Sequence, residues 1–252
     1  MKGTSKVASA VGQRPYQEDY STIVSRPEGT ILAVADGHGG DQVSRFLCSA
    51  NGLEATWEEK YKPDLPAEVV IKGVWASLQI STHHLSAGAC LSLVFIPHPG
   101  NRAYIAVSGD APVLIRLGEH LYVGPDHNVR TNSKELRAAV ARGGVAANGY
   151  VWEMSTQKGL QMARAFGDAF MGNLIDRDPE IQTVDLQKDS WILVASDGLF
   201  DPGHTGGENT LSHALVAGRI DRGATAEELV QQAVDAKTGD NATALLWRPM
   251  EG

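Results

Sequence analysis

The sequence holds only two cysteines, Cys48 and Cys90, each inside an apolar stretch. That excludes a disulfide framework and a cysteine zinc site, and it points to a reducing compartment. Long apolar runs are missing too, since none approaches the roughly 20 residues that a membrane span needs. The opening MKGTSKVASAVGQ lacks the apolar core of a secretion leader. The expectation is a cytoplasmic protein with no membrane contact. Positive charge is also in short supply. Lys and Arg number 22 against 30 Asp and Glu, a net charge of −8, which argues against phosphate-driven binding of nucleic acid. Repeats, low-complexity tracts and long linkers are absent, so residues 1–252 read as a single domain. No feature of the sequence signals an oligomer, and the expectation is a monomer.

What the sequence does have is a succession of short β-rich runs: TSKVASAV, YSTIVS, TILAVA, ACLSLVFI, RAYIAVS, PVLIRLG, EIQTVDL, SWILVAS and ATALLWR. Short turns such as IPHPGNR and SGDAP join several of them, the signature of antiparallel hairpins. Helical spacing appears in GDQVSRFLCSANGL, in PAEVVIKGVWASLQISTHHL, in SKELRAAVARGG with a cap at Ser133, and in TAEELVQQAVDAKTG. The last opens on a capping box, Thr225 to Glu228, and is expected to stop at Gly239. About nine strands with four or five helices, without strict alternation, predict an α+β fold of antiparallel sheets covered by helices.

The chemistry concentrates where strands end. ILAVADGHGG brings a buried run to Asp36 and His38 among three glycines, and WILVASDGLFD ends on Asp197-Gly198. AYIAVSGD ends on Gly109-Asp110, while GDNATALLW starts a strand from Asp240. QRPYQED adds Glu18 and Asp19 ahead of the strand around Ile23. A turn accounts for any one Asp-Gly pair. Four of them plus an acidic pair on one rim imply carboxylates that would repel unless a cation sat among them. An all-oxygen donor set selects Mg²⁺ or Mn²⁺ over zinc.

In this order GQRPYQED, ADGHGG, SGDAPVL, PDHN, ELRAAVARGGV, ARAFGD, ASDGLFD and GDNAT resemble the motifs of the metal-dependent protein phosphatases, the type 2C serine/threonine family, over nearly the whole chain. The resemblance implies a four-layer sandwich, two antiparallel sheets flanked by helices on both sides, with two metal ions in a cleft and a flap around residues 128–160. It implies Asp36 as the bridging metal ligand, Gly37 through its carbonyl, Glu18 on one metal with Asp19 behind it, and Asp197 and Asp240 on the other. A weaker third ion would use Asp110 with Asp197. The implied reaction is hydrolysis of phosphoserine and phosphothreonine in proteins by direct attack of a metal-bridging water. Arg14 would grip the phosphate, and His38 would protonate the leaving alkoxide.

Other positions carry weaker expectations. Arg164 is expected to pair with Asp168 or to touch substrate, and Asp201 to bond near the third metal or ligate it. His127 should anchor its loop, His83 and His84 should be exposed, and Trp152 and Met154 should belong to the flap. The chain also departs from the family's usual motifs. Ala89 and Cys90 replace hydroxyl residues, Val107 replaces Asn, Ala111 and Pro112 replace Ser and Arg, and Gly124 replaces Thr. None is a primary ligand. The departures leave two alternatives open: a weak or silent phosphatase-fold binding protein, and a hydrolase of small phosphoesters.

Overall fold

The structure, a computed structural model, describes residues 1–200 and 211–250, so Asp201 lies outside the described residues. The chain opens with β1 (Gly3–Ala10), β2 (Tyr20–Arg26) and β3 (Gly29–His38). Helix α1 (Gln42–Leu47), a π-helical turn over Ala50–Glu54, α2 (Ala55–Lys60) and α3 (Ala67–Thr82) follow. Next come β4 (Gly88–Pro97), β5 (Arg102–Ser108), β6 (Val113–Leu117), β7 (His120–Val123) and α4 (Ser133–Ala141). Short strands β8 (Val145–Ala147), β9 (Tyr150–Glu153), β10 (Lys158–Leu160) and β11 (Phe166–Gly167) lead into β12 (Glu180–Asp185) and β13 (Ile192–Ala195). Helices α5 (His213–Asp221) and α6 (Ala226–Asp235) precede the final strand β14 (Ala242–Pro249).

Two large sheets form, one in the order β1-β14-β13-β6-β7 and the other β12-β5-β4-β3-β2 with β11 added on β4. Every ladder between these strands is antiparallel. The period of two along β3 decides the layering. Leu32 and Val34 point between the sheets, where they meet Val94, Ile105, Val113, Ile192, Val194 and Trp247. Ile31, Ala33 and Ala35 point the other way, onto Val43, Leu47, Trp57, Val74 and Trp75 of the first three helices. Helices α5 and α6 cover the outer face of the second sheet through Val216, Ile220, Leu229 and Ala233. Helix, sheet, sheet, helix is the predicted α+β sandwich. Both faces of β3 and β4 are therefore dry, which is why these strands read as unbroken apolar runs.

The fourteen strands and six α-helices among the described residues exceed the expected counts, because β7 to β11 are only two to four residues long and give no periodic signal. Residues 40–53, expected as one helix, break after Leu47. Gly52 adopts φ −93°, ψ −106°, and the chain kinks there. The cap of α4 is Asn132 rather than Ser133, since the Asn132 side chain accepts from the Lys134 and Glu135 amides. Helix α6 has its Thr225–Glu228 capping box but ends at Asp235, four residues before Gly239, with Lys237 in the left-handed region. Strands β8 to β10 form a separate three-stranded sheet, packed with α4 around Val129, Ala139, Val151 and Leu160.

Candidate active site

Antiparallel pairing turns strand ends into a shared rim. β3 carries Asp36 opposite Cys90 of β4, and Asp197 follows β13 directly. Asp240 precedes β14, which pairs with β13. Asp36, Gly37, His38, Asp110, Asp197, Asp240 and Arg14 line one cavity of about 320 Å³, and Tyr150, Gly159, Leu160 and Met162 of the small sheet and the segment after it close its side. Glu18 stands behind this wall. It is buried, with one carboxylate oxygen accepting from the Gly40 amide at 2.5 Å and its own amide donating to Asn241 Oδ1 at 2.7 Å.

The absence of a side chain at Gly37 is required. A Cβ there would fall 2.3 Å from the Glu18 carbonyl oxygen and 2.5 Å from Ser44 Oγ. The backbone thus brings the DGHGG turn against the QED segment more closely than any other residue allows.

The electrostatics of the rim are strained. The Asp36 carboxyl is pushed well above the usual carboxylate range, first by burial and then by Asp197, Asp19, Asp110 and Asp240 around it. Its Oδ2 accepts a single bond, from the Asp197 amide at 3.2 Å. Asp19 is raised to about 6, chiefly by burial, against lowering hydrogen bonds from Ser196 and Thr243 and raising charges on Asp240 and Glu18. Arg14 is the one nearby cation among the described residues that line the cavity. Its Nη2 donates to Asp240 Oδ2 at 2.7 Å and its Nε to the Gly239 carbonyl at 3.1 Å, with Glu18 4.0 Å from Nη1. Six carboxylates, Glu18, Asp19, Asp36, Asp110, Asp197 and Asp240, drawn together beside one guanidinium form an all-oxygen donor set that suits a divalent cation, so the residues present fit Mg²⁺ or Mn²⁺.

Asp110 is engaged on both oxygens, by the Cys90 thiol at 3.1 Å and by Asn128 Nδ2 at 2.8 Å. Cys90 is buried and free, and its thiol is pushed up first by burial and next by Asp110, so it stays a neutral donor.

His38 has a partner that sequence reasoning did not assign. Its Nε2 lies 2.9 Å and 3.1 Å from the two oxygens of Asp168, which is fully buried. Burial alone lowers the imidazole pKa; Asp168 first, then Asp110 and Glu18, outweigh it, and the net shift is upward. Asp168 holds φ 49°, ψ 50°, its amide bonded to the Ala87 carbonyl at 3.1 Å and its carbonyl to Arg177. Gly88 makes room for the pair, because a Cβ there would meet Asp168 Oδ2 and His38 Nε2 at 2.2 Å. The expected Arg164–Asp168 pair is not formed. Arg164 instead donates to Glu135 at 2.9 Å and 3.3 Å, while the Asp168 carboxylate is taken by His38. The only available signal for Asp168 was its place in the ARAFGD motif.

Elsewhere, His127 is buried with Nδ1 against the backbone of Gly109 and Nε2 3.3 Å from Glu180, which places it as a loop anchor. His127, Glu135 and Glu180 offer donor atoms within 4.8 Å of one another. Arg164 already neutralises Glu135 there, so the cluster is an ion-pair network distinct from the cavity. His83 and His84 are exposed. Trp152 lies on β9, and Met154 is 61% exposed just beyond it. No helix among the described residues is long and apolar enough to cross a membrane.

The fold matches known structures. It superposes on a sex-determining protein of C. elegans with a TM-score of 0.81 at 20% identity, covering 99% of this chain and 66% of that one. A serine-threonine phosphatase 2C from Toxoplasma gondii gives 0.75 at 17% identity over 97% of this chain and 94% of that one. The fold is that of the PPM phosphatases. In sequence, the family model of protein phosphatase 2C matches residues 17–242. Probable protein phosphatase 2C 59 of Oryza sativa subsp. japonica is 28% identical over 97% of this chain and 75% of that protein. The chain therefore belongs to the protein phosphatase 2C family of metal-dependent serine/threonine phosphatases, which are phosphoric monoester hydrolases.

Proposed function

We propose that the 320 Å³ cavity is where this chain hydrolyses phosphoserine and phosphothreonine, within one domain whose flap is the β8–β10 sheet. The observation that carries the reading is the convergence of Asp36, Asp110, Asp197, Asp240, Arg14 and His38, from five distant segments, on a single cavity. Glu18, Asp36, the Gly37 carbonyl, Asp197 and Asp240 would hold two Mg²⁺ or Mn²⁺ ions, and Asp110 with Asp197 a weaker third. When bound, these ions supply the Lewis acidity that makes water nucleophilic near neutral pH and the positive charge that stabilises the transferring phosphoryl group.

The chain's own side chains supply the rest. The planar fork of Arg14 at the rim suits two phosphate oxygens at once. His38 has Nε2 committed to Asp168, which fixes the ring and leaves Nδ1 to hold the proton that a departing serine or threonine alkoxide requires. Asp168 draws the imidazole pKa upward, which favours the protonated form that a proton donor needs. Tyr150 and Leu160 narrow the opening and exclude water from the phosphate. No phospho-enzyme is required, and the neutral Cys90 thiol is bonded to Asp110.

The test is release of phosphate from a phosphothreonine peptide and from p-nitrophenyl phosphate with added Mn²⁺, alongside calorimetric titration of the metal. Turnover with metal binding at two or more sites supports the reading. Folded protein that binds Mn²⁺ but turns over neither compound would be a silent relative. Turnover of small phosphoesters alone would make it a metabolite hydrolase.

A further inference from the structure

Beside the catalytic cavity lies a second hollow of about 440 Å³, and the two share Asp110 and Asp197 as a common wall. Its remaining surface is of another kind. Pro112, Val123, Gly124, Pro125 and Phe200 supply apolar lining, and Arg130 stands at the edge. Val123 is 44% exposed at the end of β7, an apolar side chain left in water beside an acidic centre. The polar groups in the hollow are largely spent on one another. Asp126 accepts from the Asn128 amide and the Thr131 hydroxyl, and Asp110 accepts from Cys90 and Asn128. His213 packs edge-on against Phe200 at 4.9 Å, and burial lowers its pKa, so it contributes a neutral ring. Two of the lining residues, Pro112 and Gly124, are departures from the family's usual motifs.

We propose that this hollow is a substrate subsite that selects an apolar side chain two residues away from the phosphorylated serine or threonine, an inference that rests on the phosphatase reading of the neighbouring cavity. The spacing follows from chain geometry. In an extended peptide, successive side chains alternate in direction, so the residue that points the same way as the phosphoresidue is two positions off, about 7 Å along the chain. With a phosphate lodged between Asp36 and Arg14, a peptide running towards the shared Asp110–Asp197 wall places that neighbour in the hollow. Leu or Val would shed water against Val123, Pro125 and Phe200. Lys or Glu would lose hydration against this apolar lining, while Asp110 and Asp126 are already engaged and Arg130 lies at the edge.

The experiment is a set of phosphothreonine peptides that carry Leu, Lys or Glu at the second position before or after the phosphoresidue. Each kcat/KM is divided by the same preparation's turnover of p-nitrophenyl phosphate, which cancels differences at the metal centre. Leu at one of the two positions should be favoured over Lys and Glu by about tenfold, the effect of partly burying one aliphatic side chain. Val123→Asp should bring that ratio to within about twofold, and Pro125→Glu provides a second variant on the same wall. Flat selectivity with normal p-nitrophenyl phosphate turnover would overturn the subsite alone. So would a preference for Glu, which would make Arg130 the reader, or a Leu preference that survives both variants. Failure to turn over p-nitrophenyl phosphate would instead overturn the phosphatase reading, and the subsite with it.

Discussion

Asp36→Asn is expected to do two opposite things, stabilise the metal-free protein and abolish its function. The side chain sits among Asp19, Asp110, Asp197 and Asp240, and its carboxyl is held well above the usual range. A group with a raised folded-state pKa costs stability once pH exceeds its unfolded value, and the full cost is reached above the folded value. Asn has the same shape and can still accept the Asp197 amide, but it carries no charge. Asp36 is partly reached by solvent at the cavity mouth, which screens the repulsion, so removing its charge should be worth about 2 kcal/mol, within the ordinary range of single substitutions. For a chain of this length that is a rise in Tm of about 4–8 °C at pH 8 without metal.

Thermal melts of both proteins, with and without Mn²⁺, make the measurement. The wild type should gain stability from Mn²⁺, by about 2.7 kcal/mol at a hundredfold excess over Kd. The variant should lose most of that gain and all turnover. As pH falls through the raised folded value towards the unfolded carboxyl value of about 3.9, the metal-free difference should shrink and then vanish, because protonated Asp36 and Asn carry the same charge. A variant that melts at or below the wild type at pH 8 without metal, or that keeps the full Mn²⁺ shift, would refute the picture of mutually repelling carboxylates awaiting a cation.

Three further outcomes are expected. His38→Ala should slow a phosphothreonine peptide by about 10²-fold or more while slowing p-nitrophenyl phosphate, with its better leaving group, far less; Asp168→Asn should show the same split in weaker form, and equal losses on both compounds would remove the proton-donor role. Arg164→Met should cost about 3–5 kcal/mol in chemical denaturation, because it strands the buried Glu135 carboxylate; Arg164→Met with Glu135→Gln should recover much of that loss. Thr225→Ala should cost about 1 kcal/mol by opening the capping box of α6, read as a lower denaturation midpoint with turnover per folded molecule intact.

Much of the site was legible because it is written in local signals. An apolar run ending in Asp-Gly announces a strand terminus, and several such termini in an antiparallel fold must share rims, so Asp36, Asp110, Asp197 and Asp240 could be grouped before any coordinates. Thr225 and Glu228 likewise mark a helix start within four residues. The resemblance to a family supplied roles, since composition alone distinguishes neither a bridging ligand from a supporting one nor Arg14 from another surface arginine.

The tertiary structure decided what depends on distant backbones meeting. Asp168 was visible as a residue but not as the partner of His38, because that pair exists only where Gly88 lets β4 pass between a turn after β11 and the end of β3. Arg164 could not be matched to Glu135 for the same reason: 29 residues and a small sheet separate them, and no periodicity spans that gap. The short strands of the flap carry too few residues for a pattern, and only their packing on α4 defines them. The hollow beside the acidic cavity is the extreme case, an empty volume shaped by the turn before β6, the end of β7 with the segment after it, and the start of α5 together. Sequence determines strands, caps and the charge of a rim, because those follow from neighbours in the chain; which side chains face one another across a cavity follows from how the layers close.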